Sequence, residues 1–536
     1  MRIAVVGATG NAGTAVLREL ASRNTVEAIL GIARRLPDEE AEPYKYASWE
    51  SVDIQFSASR AELAKLFVGY DAVIHLAWLI QPNTKRELLR RVNVDGTRYV
   101  LEAAAQAGVK TVVVASSVGA YSPVDDDAPR DESWPTGGIV GSHYSVDKAA
   151  QERVMDEFET NYPEVKVARI RAALKFQGSA GSEIQRYFLG SWIPVQLLRY
   201  ARPPIIPFPK GARTQAVHTD DVARAYAEAA LQEAQGAFNI CADDILDAQT
   251  IGGVVTMNPK FGRVLPVPAK PLRPLLKAAH RSGVLAMDEG WLDMAIQAPL
   301  MDNSRAKREL GWAPTMSGAE ALHELIQGMA DGDGTASAPM RARGGTSVDE
   351  SWLPSQEHSV PDDVDATALR QYMADHLAGA TAGLKRIEKL SEVFMDSPVY
   401  EDLAAVAEQI RAEHNFLQEL MKRQQFARPG IAGPALWAGE RVARIKSYFP
   451  EGLKITPSVL VLETELMLSA VAGKLHGWRT MLNVSEALGV SQDVFQQLVD
   501  DAEEQYELLE RVHKYARQRA FSEGRETDVE DGRAKT

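Results

Sequence analysis

Two residues four apart in the stretch GSHYSVDKAA, Tyr144 and Lys148, could together move a proton. A free phenol titrates near about 10, too high for a base at neutral pH. In a helix, side chains at i and i+4 share a face, so the Lys148 ammonium could favour a Tyr144 phenolate. Ser117 ends the apolar run KTVVVASS and could hydrogen-bond the same substrate oxygen that Tyr144 protonates or deprotonates. The spacing alone is common. The bland alternative is a solvated helix face and a strand-end serine, so the surrounding elements must decide.

The element that would bring chemistry to this pair opens the chain. MRIAVVGATGNAGTAVLRELA reads as a buried strand from Ile3 to Val6, a glycine turn and a helix from about Gly13. Gly7, Gly10 and Gly13 are spaced G-x-x-G-x-x-G, not the commoner G-x-G-x-x-G. Small residues let the turn Gly7, Thr9, Gly10, Asn11, Ala12 and Gly13 bring backbone amides to a pyrophosphate at a helix N-terminus. A tight turn with no ligand is the competing reading. With a dinucleotide there, Lys148 could hold a ribose hydroxyl while hydride passes between a substrate carbon and the nicotinamide. The second apolar run, VEAILGIAR, ends in Arg34 and Arg35 where an NAD site usually places an acid. Arginine can grip a 2′-phosphate bidentately, which favours NADP(H), with NAD(H) as the alternative. Asp38, Glu39 and Glu40 follow a proline and lie too late for the acidic role.

Further apolar runs at DAVIHLAW, KTVVVASS and KVARIRAA, with helical stretches at about 60–68 and 84–107, predict a parallel sheet covered on both faces. Residues 1–330 read as one α/β unit, with a Rossmann-type doubly wound core mainly in 1–175 and 214–245. A substrate lobe would lie mainly in 176–213 and 246–330. Residues 331–365 lack periodicity and read as a linker. Apolar stripes then predict helices at roughly 366–394, 400–425, 435–447, 457–483 and 490–520, an all-α bundle over 366–521, with a flexible polar tail at 522–536.

With GATGNAG, VDI, HLAW, NVDGT, VVASSVGAY and YSVDK in this order, the first 325 or so residues resemble the extended short-chain dehydrogenase/reductase family, in its NAD(P)-dependent epimerase/dehydratase branch. The resemblance implies a sheet of about seven parallel strands and a smaller lobe. It implies Asp53 and Ile54 beside the adenine, Leu76 and Ala77 along the cofactor cleft, and Asn93 as a structural asparagine. It also implies Ser117, Tyr144 and Lys148 as the catalytic set. His218 and Asp221, in AVHTDDVARAY, would sit near the lobe junction as structure rather than chemistry. The chain departs from the family at RIRAALKFQG, where Ala172 replaces a proline, and SSVGAY lacks the acid expected of a dehydratase.

The bulk numbers agree with such an enzyme. At 536 residues the chain is too long for one core. A formal net charge of -14 gives no general pull on nucleic acid. Cys241 is the single cysteine, which excludes a disulfide within the chain and fits a cytoplasmic setting, and no run is long enough to span a membrane. The function that follows is an NADP(H)-dependent oxidoreductase or epimerase acting on a hydroxyl or carbonyl carbon of a small molecule. Arg171, Arg186, Arg202 and Arg213 could meet an anionic group on it. The rival is a cofactor-binding scaffold with little catalysis whose helical part binds a partner or makes a homo-oligomer. A metal site in the bundle would want Glu-x-x-His, and Glu413 and His414 are adjacent instead, so His414 reads as a hydrogen-bonded seam residue.

Overall fold

The computed structural model describes residues 1–80, 85–189, 205–256, 263–281, 285, 287–341, 350–354, 360–361, 363–394, 397–424 and 457–520. The chain divides into two compact units, Met1–Gly344 and Gly345–Thr536.

The strands of the first unit are β1 (Arg2–Val6), β2 (Ala28–Ala33), β3 (Ser48–Ser51), β4 (Ala72–His75), β5 (Thr111–Ser117), β6 (Lys166–Ala172), β7 (Leu174–Phe176), β8 (Ile205–Pro209), β9 (Ala216–His218), β10 (Gly236–Ile240) and β11 (Arg263–Val267). Its helices are α1 (Asn11–Ala21), α2 (Ser59–Leu66), α3 (Arg86–Arg90), α4 (Gly96–Gln106), α5 (His143–Asn161), α6 (Gly181–Ile184), α7 (Thr219–Leu231), α8 (Ala248–Thr256), α9 (Ala269–Arg281), α10 (Glu289–Gln297), α11 (Ser304–Glu309) and α12 (Gly318–Asp331).

Seven strands form one sheet in the order β10-β6-β5-β4-β1-β2-β3, and every pairing is parallel. Successive side chains of a strand point to opposite faces, and the sequence sorts accordingly. Ile3, Val5, Ile74 and Val113 join the core under α1 and α7, whereas Ala4, Val6, Val73 and Val114 join the core under α2, α4 and α5. Both faces are apolar, so the central strands read as continuous hydrophobic runs. Each fully buried Ile or Val contributes about 2 kcal/mol by leaving water. The order reverses direction between β1 and β4, and the carboxyl ends of those strands face the crevice where such sheets take ligands. Two parallel pairs, β7 with β9 and β8 with β11, lie outside the main sheet.

Two departures from the sequence reading concern the site. Helix α1 starts at Asn11 rather than near Gly13, so Gly13 lies inside its first turn. Residues 333–340, expected in a linker, pack onto the glycine turn. Ser337 is fully buried, its hydroxyl donates to the Thr9 carbonyl at 2.8 Å, and the Asp38 amide donates to the Ala336 carbonyl at 3.0 Å.

The second unit contains the helices Ala366–Val393, Tyr400–Arg423, Pro457–Asn483 and Gln492–Arg517 among its described residues. The helix expected at 435–447 and the tail at 522–536 lie outside the described residues. Two apolar clusters fill the bundle, one around Leu403, Val406 and Leu509, the other around Phe416, Trp478 and Phe495. His414 meets the Thr381 hydroxyl at 3.0 Å, a seam contact of the kind its position suggested. No described helix is long and apolar enough to cross a membrane.

Candidate active site

The glycine turn is built for close approach. Gly7 adopts φ +87, and a Cβ there would stand 2.5 Å from the Ala77 amide nitrogen. The Leu76 and Ala77 amides both donate to the Val6 carbonyl, at 2.8 and 3.0 Å, which holds the end of β4 against the turn. A Cβ on Gly13 would meet the Gly7 carbonyl oxygen at 2.3 Å, so α1 packs on the turn only because this residue has none. At its start Gly10 is the N-cap, and no side chain caps the helix. Such a terminus presents amides and a positive dipole end to an anion. Ala12 is buried. The Asn11 side chain is committed elsewhere, accepting from Gln177 Nε2 at 2.7 Å and donating to the Lys175 carbonyl at 3.3 Å. What Asn11 can offer a phosphate is its backbone.

Arg34 and Arg35 lie half-exposed just past the end of β2. Asp53 accepts from the Gln55 amide at 3.1 Å and from its side chain at 2.6 Å, and Ile54 is buried against Gly96. Asn93 is 1% exposed and clamps Leu79 by both amide groups, accepting from its N–H at 2.7 Å and donating to its carbonyl at 2.8 Å. That clamp fixes the segment after β4, and with it Trp78.

Ser117 ends β5, and Ser142 caps α5 so that Tyr144 and Lys148 fall in its first two turns. The Ser117 oxygen accepts from the Gly119 amide at 3.0 Å. A Cβ at Gly119 would come within 2.9 Å of the Tyr144 ring, so this glycine makes room for the phenol. Burial pushes the Tyr144 hydroxyl up to about 12, and its hydrogen bond with Ser117 acts in the opposite direction. Lys148 is not among the causes. Its Nζ donates to the Ala115 carbonyl at 2.7 Å and to Gln151 Oε1 at 3.0 Å, and lies 3.4 Å from the centre of the Trp78 ring. The helix therefore gives tyrosine and lysine one face, as the spacing implied, but in this state the ammonium is spent on other partners. Desolvation lowers its pKa well below the usual lysine value.

Gln151 continues the network, donating to the Thr97 hydroxyl at 3.1 Å. Thr97 gives its own proton to the Asn93 carbonyl at 2.7 Å, so His75 Nε2, 3.0 Å away, must be the donor to Thr97. His75 is thus the Nε2–H tautomer, and burial lowers its pKa to about 3. Sequence reasoning missed Gln151, although it lies three residues past Lys148 on the same helix. It also passed over Trp78, the last residue of the quoted HLAW.

Aromatic rings close the site around Tyr144. Its ring centre lies 5.8 Å from Trp78 and 5.1 Å from Trp291 on α10, and Phe188 meets Trp291 at 4.7 Å. Of the arginines offered for an anionic group, Arg171 is buried in a bidentate pair with Glu152, at 2.9 Å for both bonds. Arg213 donates to Asp127 at 2.5 Å and to the Ala298 carbonyl at 2.9 Å. Arg202 and the Arg186 side chain lie outside the described residues. His218 caps α7 through the Asp220 amide at 3.2 Å and meets Glu324 at 3.1 Å, while Asp221 accepts from Thr315 and Arg224. A polar cleft of about 310 Å³ beside His218, Arg18 and Glu324 does not include Ser117, Tyr144 or Lys148.

Residues 3–241 match the model of the NAD dependent epimerase/dehydratase family. An uncharacterized protein of Mycobacterium tuberculosis is 26% identical over 325 residues, 61% of this chain, and the chain spans only 30% of that relative's length. The L-arabinose 1-dehydrogenase (NAD(P)(+)) of Haloferax volcanii is 35% identical over 118 residues, 22% of this chain and 41% of that one. The structure of a dTDP-glucose 4,6-dehydratase from Streptomyces venezuelae, with NAD and TYD bound, matches with a TM-score of 0.46 and 20% identity, covering 61% of this chain and 96% of that one.

Proposed function

We propose that the first unit is an NADP(H)-using oxidoreductase or epimerase acting on a hydroxyl or carbonyl carbon of a small molecule. One observation carries the reading: the Ser117–Tyr144 pair stands at the carboxyl end of the parallel sheet, the same edge as an uncapped glycine turn whose close packing suits a pyrophosphate. Gly7, Gly10 and Gly13 with the first amides of α1 would hold the pyrophosphate, Asp53 and Ile54 the adenine side, and Arg34 and Arg35 a 2′-phosphate. Leu76 and Ala77 would line the cleft, and Lys148 would take a ribose hydroxyl. The nicotinamide, when bound, accepts or supplies the hydride. Tyr144 supplies the proton to a carbonyl oxygen as it becomes a hydroxyl, or removes it in reverse, and Ser117 orients that oxygen.

Calorimetric titration with NADP, followed by a substrate screen with Tyr144→Phe as control, tests the reading. Binding with turnover that the variant loses is expected, and a chain that binds no nicotinamide nucleotide refutes it. A second reading, a cofactor-binding scaffold with little catalysis, draws on Trp78. Its ring covers Lys148, whose other contacts are already made. If NADP binds and a Trp78→Ala variant gains turnover that the native chain lacks, the scaffold reading is favoured.

A further inference from the structure

Among the described residues, the side chains around Tyr144 differ in kind from what a diphosphate needs. A nucleoside diphosphate sugar brings two phosphate charges, and sites for such groups set arginine or lysine side chains against them. Among the described residues around Tyr144, the arginines are held by protein acids. Arg213 gives hydrogen bonds to Asp127 and to the Asp126, Ile296 and Ala298 carbonyls. Arg86 meets Asp288 at 3.2 Å, and Arg273 is paired with Asp293 on α10. Half-buried Lys175, at the start of the lobe, lies within electrostatic reach of Lys148 and Glu183 and gives no hydrogen bond to a side chain among the described residues. One ammonium can match one acid, not a diphosphate.

What surrounds Tyr144 instead is ring surface, with Trp78, Tyr144 and Trp291 each half-buried. Tyr144 meets two indoles, and Phe188 meets the second. The Nε1 atoms of Trp78 and Trp291 are both buried without a hydrogen-bond partner. An unpaired buried N–H is costly, and indole pairs an apolar face with a polar edge. A flat ring carrying an oxygen would satisfy both features at once: the face stacks, and the oxygen accepts from an indole N–H.

We infer that the substrate is a planar aromatic alcohol or carbonyl compound with at most one acidic group, held against Trp291, and not a nucleoside diphosphate sugar. This rests on the oxidoreductase reading, and the experiment separates the two. The full chain is saturated with NADP, with binding checked by calorimetry, and then titrated with cinnamaldehyde, cinnamate or UDP-glucose while tryptophan fluorescence and heat are followed. The expected result is saturable binding of an aromatic probe, no binding of UDP-glucose, an affinity loss of about tenfold in Trp291→Leu, and recovery in Trp291→Phe. Binding of UDP-glucose with no response to cinnamaldehyde or cinnamate overturns the inference and leaves the oxidoreductase standing. Aromatic affinity unchanged in Trp291→Leu, with NADP still bound, also overturns it. Failure of both NADP and NAD to bind sinks the oxidoreductase reading, and the inference falls with it.

Discussion

At Tyr144, the burial that lifts the phenol to about 12 also decides which direction of reaction pH can reach. Reduction of a carbonyl uses the protonated phenol, which persists at every pH below that value, so its rate should stay flat from about pH 6 to 10. Oxidation uses the phenolate, whose fraction rises about tenfold per pH unit below the pKa, so that rate should climb with pH. Paired pH–rate profiles check this, and a reduction rate that falls steeply near neutrality contradicts it. Tyr144→Phe keeps the ring and removes the hydroxyl. Turnover should drop roughly 10²–10⁴-fold while the calorimetric affinity for NADP stays within a few-fold. The meeting of Ser117 with Tyr144 was legible from the strand and the helix that carry them. The partners of Lys148 were not, since Ala115 and Trp78 are distant in sequence and only the fold brings them to its ammonium. Arg171 and Arg213 misled for the same reason: Glu152 and Asp127 neutralise them from other elements.

The turn between β1 and α1 and the clamp behind it act as elements rather than as single side chains. Gly13→Ala would drive a methyl into the Gly7 carbonyl and force α1 off the turn. The expected cost is about 1–3 kcal/mol in denaturant unfolding, together with loss of NADP binding; unchanged affinity would show that the turn does not hold the cofactor. His75 ties β4 to α4 through Thr97 and stays neutral, with a pKa near 3 against about 6.5 when unfolded. Between those values the unfolded chain binds a proton that the native chain refuses. Stability due to this group is therefore complete above about pH 6.5 and is lost as pH falls towards 3. His75→Asn should flatten the pH dependence of unfolding in that window by up to about 1.4 kcal/mol per pH unit. Parallel slopes in the two proteins would contradict the assignment. The sheet was legible from its apolar runs because both faces are covered. Edge strand β3, SWES, was not, since its side chains are mostly exposed and it carries little apolar pattern. The packed segment after α12 was equally hidden, because Ser337 is held by one hydrogen bond to a carbonyl and by burial, neither of which leaves a periodic trace.

Over the whole chain, each unit has a core of its own, around the sheet in one and among four described helices in the other. The bundle core also contains a buried polar group: Lys474 donates to Glu413 and Gln505, and Gln505 Nε2 donates to Glu413 at 2.8 Å. Burial shifts both ionisable partners towards their neutral forms, so this pair restrains the packing more than it stabilises it. Lys474→Met should cost the bundle about 3–5 kcal/mol by stranding Glu413, and adding Glu413→Leu should restore most of it; chemical unfolding of the two variants decides. Stripes of Leu, Val and Phe made the bundle readable, whereas no residue pattern in it specifies a ligand, and among the described residues no group of three or more His, Cys, Asp or Glu could hold a metal. The central claim concerns the first unit, and calorimetric titration of the full chain with NADPH, NADP, NADH and NAD, repeated on an Arg34→Ala, Arg35→Ala variant, tests it most directly. The account predicts that the phosphorylated nucleotides bind tightest and that the variant loses this advantage. Binding of none of the four would contradict it.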